Sequence, residues 1–354
     1  MQAHLLIYNA VMTLTLVVGL IWLARRPTGR NAAGLLAFGA AIAVWMGLAL
    51  GRAFFPAAQL AAYGIFLYAP ILLLGVAWVL RRAYRRRAIV AAVLALAIAA
   101  VGVHAVLIEP HWLEVTRHEI RSPKITEPVR VVLLADLQTD HIGSYERRVL
   151  EQIRAEKPDL LLLAGDYIQV GDKKRREELS AEMNQLFREL LPETRLGTFA
   201  VEGNVDPMDC GSIFDGTDVQ VAGFVDNFVL DGLALTCLGL EQSMTGLTAV
   251  RRPADAADQF HIVMGHAPDF ALGDIDADLL VAGHTHGGQV RLPLIGPIMT
   301  LSSVPRSWAA GLTQLDDGRR LIVSRGVGME RGRAPRLRFL CRPELVVIDL
   351  LPQE

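Results

Sequence analysis

Cysteine is scarce in this chain of 354 residues. Cys210, Cys237 and Cys341 lie far apart, form no Cys-x-x-Cys and are odd in number, which leaves neither a disulfide framework nor a zinc ribbon. A basic surplus is missing as well. The net charge is −2, whereas a nucleic-acid binder carries a clear positive excess, so no nucleic-acid partner is expected. Asp, Glu and Lys are absent from the most apolar part of the chain, residues 5–108. Intramembrane ionisable groups mark ion pathways, and their absence argues against a transport role. No internal repeat or low-complexity tract is visible.

What is present is unevenly apolar. Hydrophobic residues make up 52% of the chain, and the excess lies before about residue 108. Four apolar stretches run over roughly residues 5–24, 32–55, 57–80 and 88–108, each near the ~20 residues that cross a bilayer as a helix. A signal peptide has one shorter apolar region behind positive charge; here residues 1–4 hold no Lys or Arg, and three more stretches follow the first. The reading is an all-α transmembrane bundle of about four helices over residues 1–108. Arg25, Arg26 and Arg30 lie between the first and second stretches, and Arg81, Arg82, Arg85, Arg86 and Arg87 between the third and fourth. The second connection holds only Arg52. By the positive-inside rule the Arg-rich loops are cytoplasmic. That makes an integral protein of the cell (inner) membrane, with everything after residue 108 extracytoplasmic. Trp22, Trp78 and Tyr84 sit near span ends as interfacial aromatics do. His104 reads as an interface or packing residue. Residues 109–128 mix Pro110, Pro123 and Pro128 with charges and read as an extended linker before a second domain at 129–354.

In that domain five apolar runs end alike. Residues 129–135 lead to Asp136-Leu137-Gln138, and 159–164 to Gly165-Asp166. Residues 197–202 lead to Gly203-Asn204-Val205-Asp206, 260–264 to Gly265-His266, and 277–282 to Gly283-His284-Thr285-His286-Gly287-Gly288-Gln289. Groups just past strand ends converge on one crevice in layered α/β proteins, and imidazoles and carboxylates are ligands for divalent cations. Two helices are expected between the early strands, one from Ser144 to about Glu156 and one from about Arg176 to Leu191, each with one apolar face. Short runs after residue 218, with Asp231-Gly232 as a tight turn, suggest hairpins. Together these give two mixed sheets packed as a sandwich with helices outside.

The ordered set Asp136-x-Gln138, Gly165-Asp166, Gly203-Asn204-x-Asp206, Gly265-His266 and Gly283-His284-x-His286 resembles the calcineurin-like metallophosphoesterases over about residues 128–350. The wording of residues 283–289, together with Ser324-Arg325-Gly326-Val327-Gly328, Arg336-Leu337-Arg338 and Pro343-Glu344, is similar to that family's membrane-associated bacterial branch. The resemblance implies an α/β fold of four layers, α/β/β/α, and a two-metal site. It implies Asp166 as the carboxylate bridging both cations, with Asp136, Gln138 and His286 on one, and Asn204, His266 and His284 on the other. Two cations about 3.5–4 Å apart hold a shared hydroxide and neutralise a phosphoryl centre. The mixed O/N set suits Mn, Fe, Co or Zn without choosing among them.

Two positions depart from the family's pattern. Gln138 stands where His is usual, a weaker neutral ligand. Val205 stands where a His often helps to protonate the leaving group, which favours substrates whose leaving group needs little protonation. His141, five residues after Asp136, is the candidate replacement acid. The expected function is metal-dependent hydrolysis of a phosphodiester or pyrophosphate bond, on a phosphoester that the membrane segment suggests is lipid-linked. The alternative is a degenerate sensor that holds metal or phosphate without turnover.

Overall fold

The computed structural model describes residues 3–207 and 210–353. The chain divides into two compact units, one of the first 108 residues with Arg333–Arg336, the other of Glu109–Gly332 with the segment from Leu337 onward.

The first unit is a helical bundle. Its helices are α1 (Ala3–Arg25), α2 (Gly29–Leu50) and α3 (Phe54–Tyr63), which runs through a π-helical turn at Gly64–Tyr68 into α4 (Ala69–Leu80), then α5 (Arg85–Val103). Four of the resulting segments are long and apolar enough to cross a membrane. Their outer faces carry Leu14, Trp45, Leu48, Trp78 and Leu96, all more than half exposed. Helices apolar on every face suit hydrocarbon rather than water. Small residues fill the inside, Ala32 and Gly39 on α2 and Ala88, Ala91 and Ala95 on α5, where they let helices approach closely. Thr28 caps α2 by accepting from the Asn31 N–H at 3.1 Å. Gly29 lies against the Arg87 guanidinium, which puts the two Arg-rich connections at the same end of the bundle.

The second unit has the strands β1 (Glu114–Ser122), β2 (Val129–Leu134), β3 (Leu160–Leu163), β4 (Thr198–Ala200), β5 (Val219–Val221), β6 (Val225–Leu230), β7 (Leu233–Leu238), β8 (Ala249–Val250), β9 (Phe260–Met264), β10 (Asp274–Ile275), β11 (Leu279–Ala282), β12 (Arg291–Leu292), β13 (Gly296–Pro297), β14 (Gly311–Gln314), β15 (Arg320–Val323) and β16 (Glu344–Pro352); twelve form a two-sheet sandwich, while β8 pairs with β10 and β12 with β13 as small separate ribbons. One sheet has the order β1-β16-β2-β3-β4-β5 and the other β14-β15-β11-β9-β7-β6. Strand periodicity assigns the faces. On β3, Leu160 and Leu162 face the opposite sheet with Phe199, Ile262 and Val281. Leu161 and Leu163 face the helices α6 (Ser144–Glu156) and α7 (Lys173–Leu190), meeting Leu150, Ile153, Met183 and Phe187. The outer face of the second sheet packs on Phe270, Ala271 and Leu315. Its helical cover is short, a 3-10 turn at Pro268–Leu272 and the single-turn α8 (Leu240–Ser243), so the fourth layer is thin.

The structure corrects the reading of residues 109–128 as a linker. They hold a 3-10 turn at Glu109–His111 and then β1, which pairs with β16 along its full length, Glu114 opposite Glu344 to Ser122 opposite Pro352. β1 is an edge strand of charged residues with little apolar content, as edges that resist aggregation are, and a search for apolar runs passes over it. The caps also shift. Gly143 rather than Ser144 precedes α6, with Glu146 accepting from the Gly143 N–H at 2.9 Å. Asp172 starts α7 by accepting from the Arg175 N–H at 2.9 Å.

If β1 is integral to the sandwich, Ile120→Ala should destabilise it by about 2–5 kcal/mol, as for a buried Ile, because Ile120 is buried in the inter-sheet core. Exposed Glu119→Ala should cost under ~0.5 kcal/mol. Denaturant unfolding of the detergent-solubilised chain compares them, and equal costs would return the segment to linker status.

Candidate metal centre

Strands β2, β3 and β4 run parallel and adjacent in the first sheet, so the residues after them emerge along one edge. Strands β9 and β11 do the same in the second. Direct bonds join the two edges. The His284 N–H reaches the Asp136 carboxylate at 3.0 Å, and His266 Nδ1 lies 2.8 Å from the Ala164 carbonyl. A carbonyl only accepts, so His266 carries its proton on Nδ1 and turns the Nε2 lone pair inward. Likewise His284 Nε2 lies 3.2 Å from the Leu301 carbonyl, which leaves Nδ1 facing the crevice. Such bonds fix tautomer and ring orientation in metal-binding histidines.

The inward atoms meet. His266 Nε2 is 3.2 Å from His284 Nδ1, 3.1 Å from Asn204 Oδ1 and 3.5 Å from Asp166 Oδ2. His286 Nε2 lies 3.9 Å from Asp136 Oδ1. Two groups, Asp166 with His266 and His284, and Asp136 with Asp166 and His286, each bring one ligand atom per residue within 4.8 Å of the others. Asp166 belongs to both. Asp136, Gln138, Asp166, His284 and His286 all have φ between 39° and 68°. Non-glycine residues rarely adopt that region, and such strain clusters at functional sites.

Close packing leaves no slack around the carboxylates. A Cβ on Gly283 would stand 2.6 Å from Asp136 Oδ2, and one on Gly203 would overlap Asp166. Asp206 ties the β3 and β4 ends together, accepting from the N–H groups of Asp166 at 2.8 Å, Tyr167 at 2.6 Å, Gly203 at 2.9 Å and Ile168 at 3.3 Å. It buttresses the loop. Val205 contributes its backbone N–H, 2.9 Å from Asp166 Oδ1.

Burial pushes both acids up, reinforced at Asp136 by the charge of Asp166; Asp166 reaches about 7. Burial lowers His266 and His284 to about 4 and lowers His286 too, where Arg338 adds to the effect. The imidazoles are therefore neutral and able to ligate near neutral pH. Gln138 is fully buried; its amide lies beside the Glu330 carboxyl and helps to hold that acid down, while among the described residues its Oε1 accepts no hydrogen bond. Among the described residues His286 Nε2 also makes no hydrogen bond, its neighbour being the Asp136 carboxylate at 3.9 Å. Orphaned buried polar atoms call for a partner, and a divalent cation supplies one while reversing the carboxylate shifts. These residues fit such a cation.

His141 is not brought into either group. Its ring, 64% exposed, lies 3.1 Å from Asp140. It lines a polar cavity of about 300 Å³ with His111, Tyr145, Arg148 and Arg331, and none of the metal-capable residues above lines that cavity. Sequence reasoning missed Glu330 and the roles of Arg331 and Arg338. Glu330 adds negative charge to Asp136 and Asp166 and accepts from Gln169 Nε2 at 3.2 Å. It follows a strand end, β15, at a longer interval than the five motifs, and this is the signal that would have found it. Arg331 Nε donates to the Gln138 carbonyl at 2.9 Å. Arg338, fully buried, donates to the carbonyls of Arg325, Gly326, Gly328 and Cys341 and approaches His286 Nδ1 at 3.5 Å.

Two facing mixed sheets thus gather carboxylates and imidazoles able to hold a cation at their strand ends. Comparison with known proteins is specific. Residues 129–288 match the profile of the calcineurin-like phosphoesterase family. The chain is 30% identical over 261 residues to the uncharacterized metallophosphoesterase YkuE of Bacillus subtilis, covering 69% of this chain and 87% of the relative. It is 30% identical over 263 residues to the phosphodiesterase YaeI of Escherichia coli, covering 69% and 90%. With an uncharacterized metallophosphoesterase of Aquifex aeolicus it shares 26% over 261 residues, 69% and 94% covered. This chain belongs to the calcineurin-like phosphoesterase family and is a metallophosphoesterase, hence a hydrolase.

The folded pKa of Asp166 is raised, so its protonated form stabilises the metal-free fold, and that contribution is lost as pH rises from about 4 through about 7. A cation binds the ionised form and removes the cost. The difference in Tm between Mn-loaded and chelator-treated protein should grow from pH 5 to pH 8. Thermal unfolding at the two pH values measures it, and a pH-independent difference would argue against Asp166 as a ligand.

Proposed function

We propose that this protein hydrolyses a phosphodiester or pyrophosphate bond in a membrane-borne, lipid-linked phosphoester, using two divalent cations drawn from Mn, Fe, Zn or Co. The observation that carries the reading is that Asp166 belongs to both clusters of metal-capable atoms, since one carboxylate has two oxygens with which to span two ions. When bound, the cations supply Lewis acidity and a water of lowered pKa. Asp136, Gln138, Asp166 and His286 would hold one, and Asp166, Asn204, His266 and His284 the other. Asp206 and the Val205 N–H fix the orientation of Asp166. The name of the Escherichia coli relative, a phosphodiesterase, supports this choice of bond.

The side chain of Val205 offers no proton to a leaving group, so this centre suits leaving groups stable as anions, such as phosphates and aryl oxides. The full-length chain in detergent, supplied with Mn or Zn, should hydrolyse an aryl phosphodiester, and Asp166→Asn should lower kcat by at least ~10³ and reduce bound metal per chain. With His141→Ala we expect less than about threefold loss, against the 10²–10⁴ that a general acid contributes. Stoichiometric metal binding with no turnover on any phosphoester would instead establish a sensor.

We also propose that the metallophosphoesterase unit is extracytoplasmic. The support is the shared end of the two Arg-rich connections and the positive-inside rule. A reporter active only outside the cytoplasm, fused after residue 353, should be active; a silent fusion beside an active cytoplasmic reporter would reverse the orientation.

A further inference from the structure

The β12–β13 hairpin and the loop after it expose several large apolar side chains. Leu294 at the tip is fully exposed, Ile295 is 64% exposed, and Leu301 and Ile298 about half. Leu340 is half exposed beside the hairpin base, where Arg291 N donates to the Phe339 carbonyl at 2.9 Å and Phe339 N to the Gln289 carbonyl at 3.1 Å. Singly scattered apolar residues on a surface need no explanation, but a contiguous set marks an interaction site.

The segment is not loosely held. Its register is fixed by Arg291 opposite Pro297 and Leu292 opposite Gly296. Beyond the hairpin, Asp269 accepts from Ser302 Oγ at 2.6 Å and Ser303 N at 2.7 Å. Between these anchors the Leu301 carbonyl receives the His284 imidazole at 3.2 Å. The exposed apolar loop is therefore built directly onto a residue of the metal centre. Its charge is one-sided as well. No Asp or Glu occurs between Asp278 and Asp316, while Arg291 and Arg306 flank the apolar tip, a complement to anionic headgroups.

We propose that this hairpin seats on a lipid bilayer, with Leu294, Ile295 and Ile298 at the acyl boundary and Arg291 and Arg306 at the headgroups. A bilayer is the occupant favoured because the same chain carries four helices suited to cross one, so a membrane surface is always within tether range at high effective concentration. The contact is shallow, since backbone N–H groups at a hairpin tip are unsatisfied in hydrocarbon. Resting on the function proposed above, the contact also names the substrate class: a phosphoester with acyl chains, whose headgroup reaches the metal centre while its tails stay in the bilayer at the hairpin.

The test uses the full chain in nanodiscs of phosphatidylcholine and phosphatidylglycerol. Leu294→Cys is labelled with an environment-sensitive fluorophore, which is selective because the three native cysteines are buried. Lipids spin-labelled near the top of the acyl chain should quench the label at least twofold, with protection from aqueous iodide. Full iodide quenching and no lipid quenching would overturn the proposal. In a second arm, Leu294→Asp with Ile295→Asp should lower kcat/KM for a long-chain phosphodiester at least tenfold and leave that for a short aryl phosphodiester within twofold. Equal change on both substrates overturns the substrate assignment. Absence of turnover on either substrate would count against the hydrolase reading alone, and the quenching result would still decide the membrane contact.

Discussion

Two carboxylates, Asp136 and Asp166, are buried side by side with almost no exposure, and most of what surrounds them deals with that. Like charges in a low-dielectric interior repel strongly. Here each is held by backbone N–H groups, those of His284 and Val205, and each sits at an uncommon backbone angle. Arg338 supplies a nearby positive charge but spends its donors on main-chain carbonyls. Glu330 adds further negative charge. The arrangement is unfavourable for a bare protein and favourable around cations, and the same imbalance marks the place as one of chemistry rather than of stability.

The sandwich supplies the geometry. Because β2, β3 and β4 are parallel neighbours in one sheet, and β9 and β11 in the other, five loops separated widely in sequence leave in the same direction. The inter-sheet core of Leu133, Phe199, Ile262 and Val281 holds the two edges at fixed separation, so the ligand atoms meet without help from a flexible loop. Rigid elements position such groups more closely than loops do.

Much of this was legible in the sequence. From the five strand-end motifs the structure brings Asp136, Asp166, Asn204, His266, His284 and His286 close to one another, and the apolar stretches coincide with the helices of the first unit, because both signals are local and repeated. What escaped was non-local. β1 is recognisable only through its partner more than two hundred residues away, since Glu114, Arg117, Glu119 and Arg121 hide its strand pattern. Glu330 and Arg338 act through packing and charge, which spacing does not encode. His141 is near Asp136 in sequence, yet its loop turns it to a cavity that none of the metal-capable residues lines. The fourth layer, expected as helices, is built from short turns, because Leu280 and Ala282 on the outer face of β11 are covered by Phe270 and its neighbours.

The position of β16 has a consequence for how the molecule is made. It lies between β1 and β2 in the first sheet, and its pairing with β1 joins residues at opposite ends of the unit. Because synthesis runs from the N-terminus, β1 emerges before the other strands of the sandwich and stays without its partner until β16 is made. Pairing at such separation is intrinsically slow. The charged side chains of β1 suit an edge that stays unpaired until β16 arrives between it and β2.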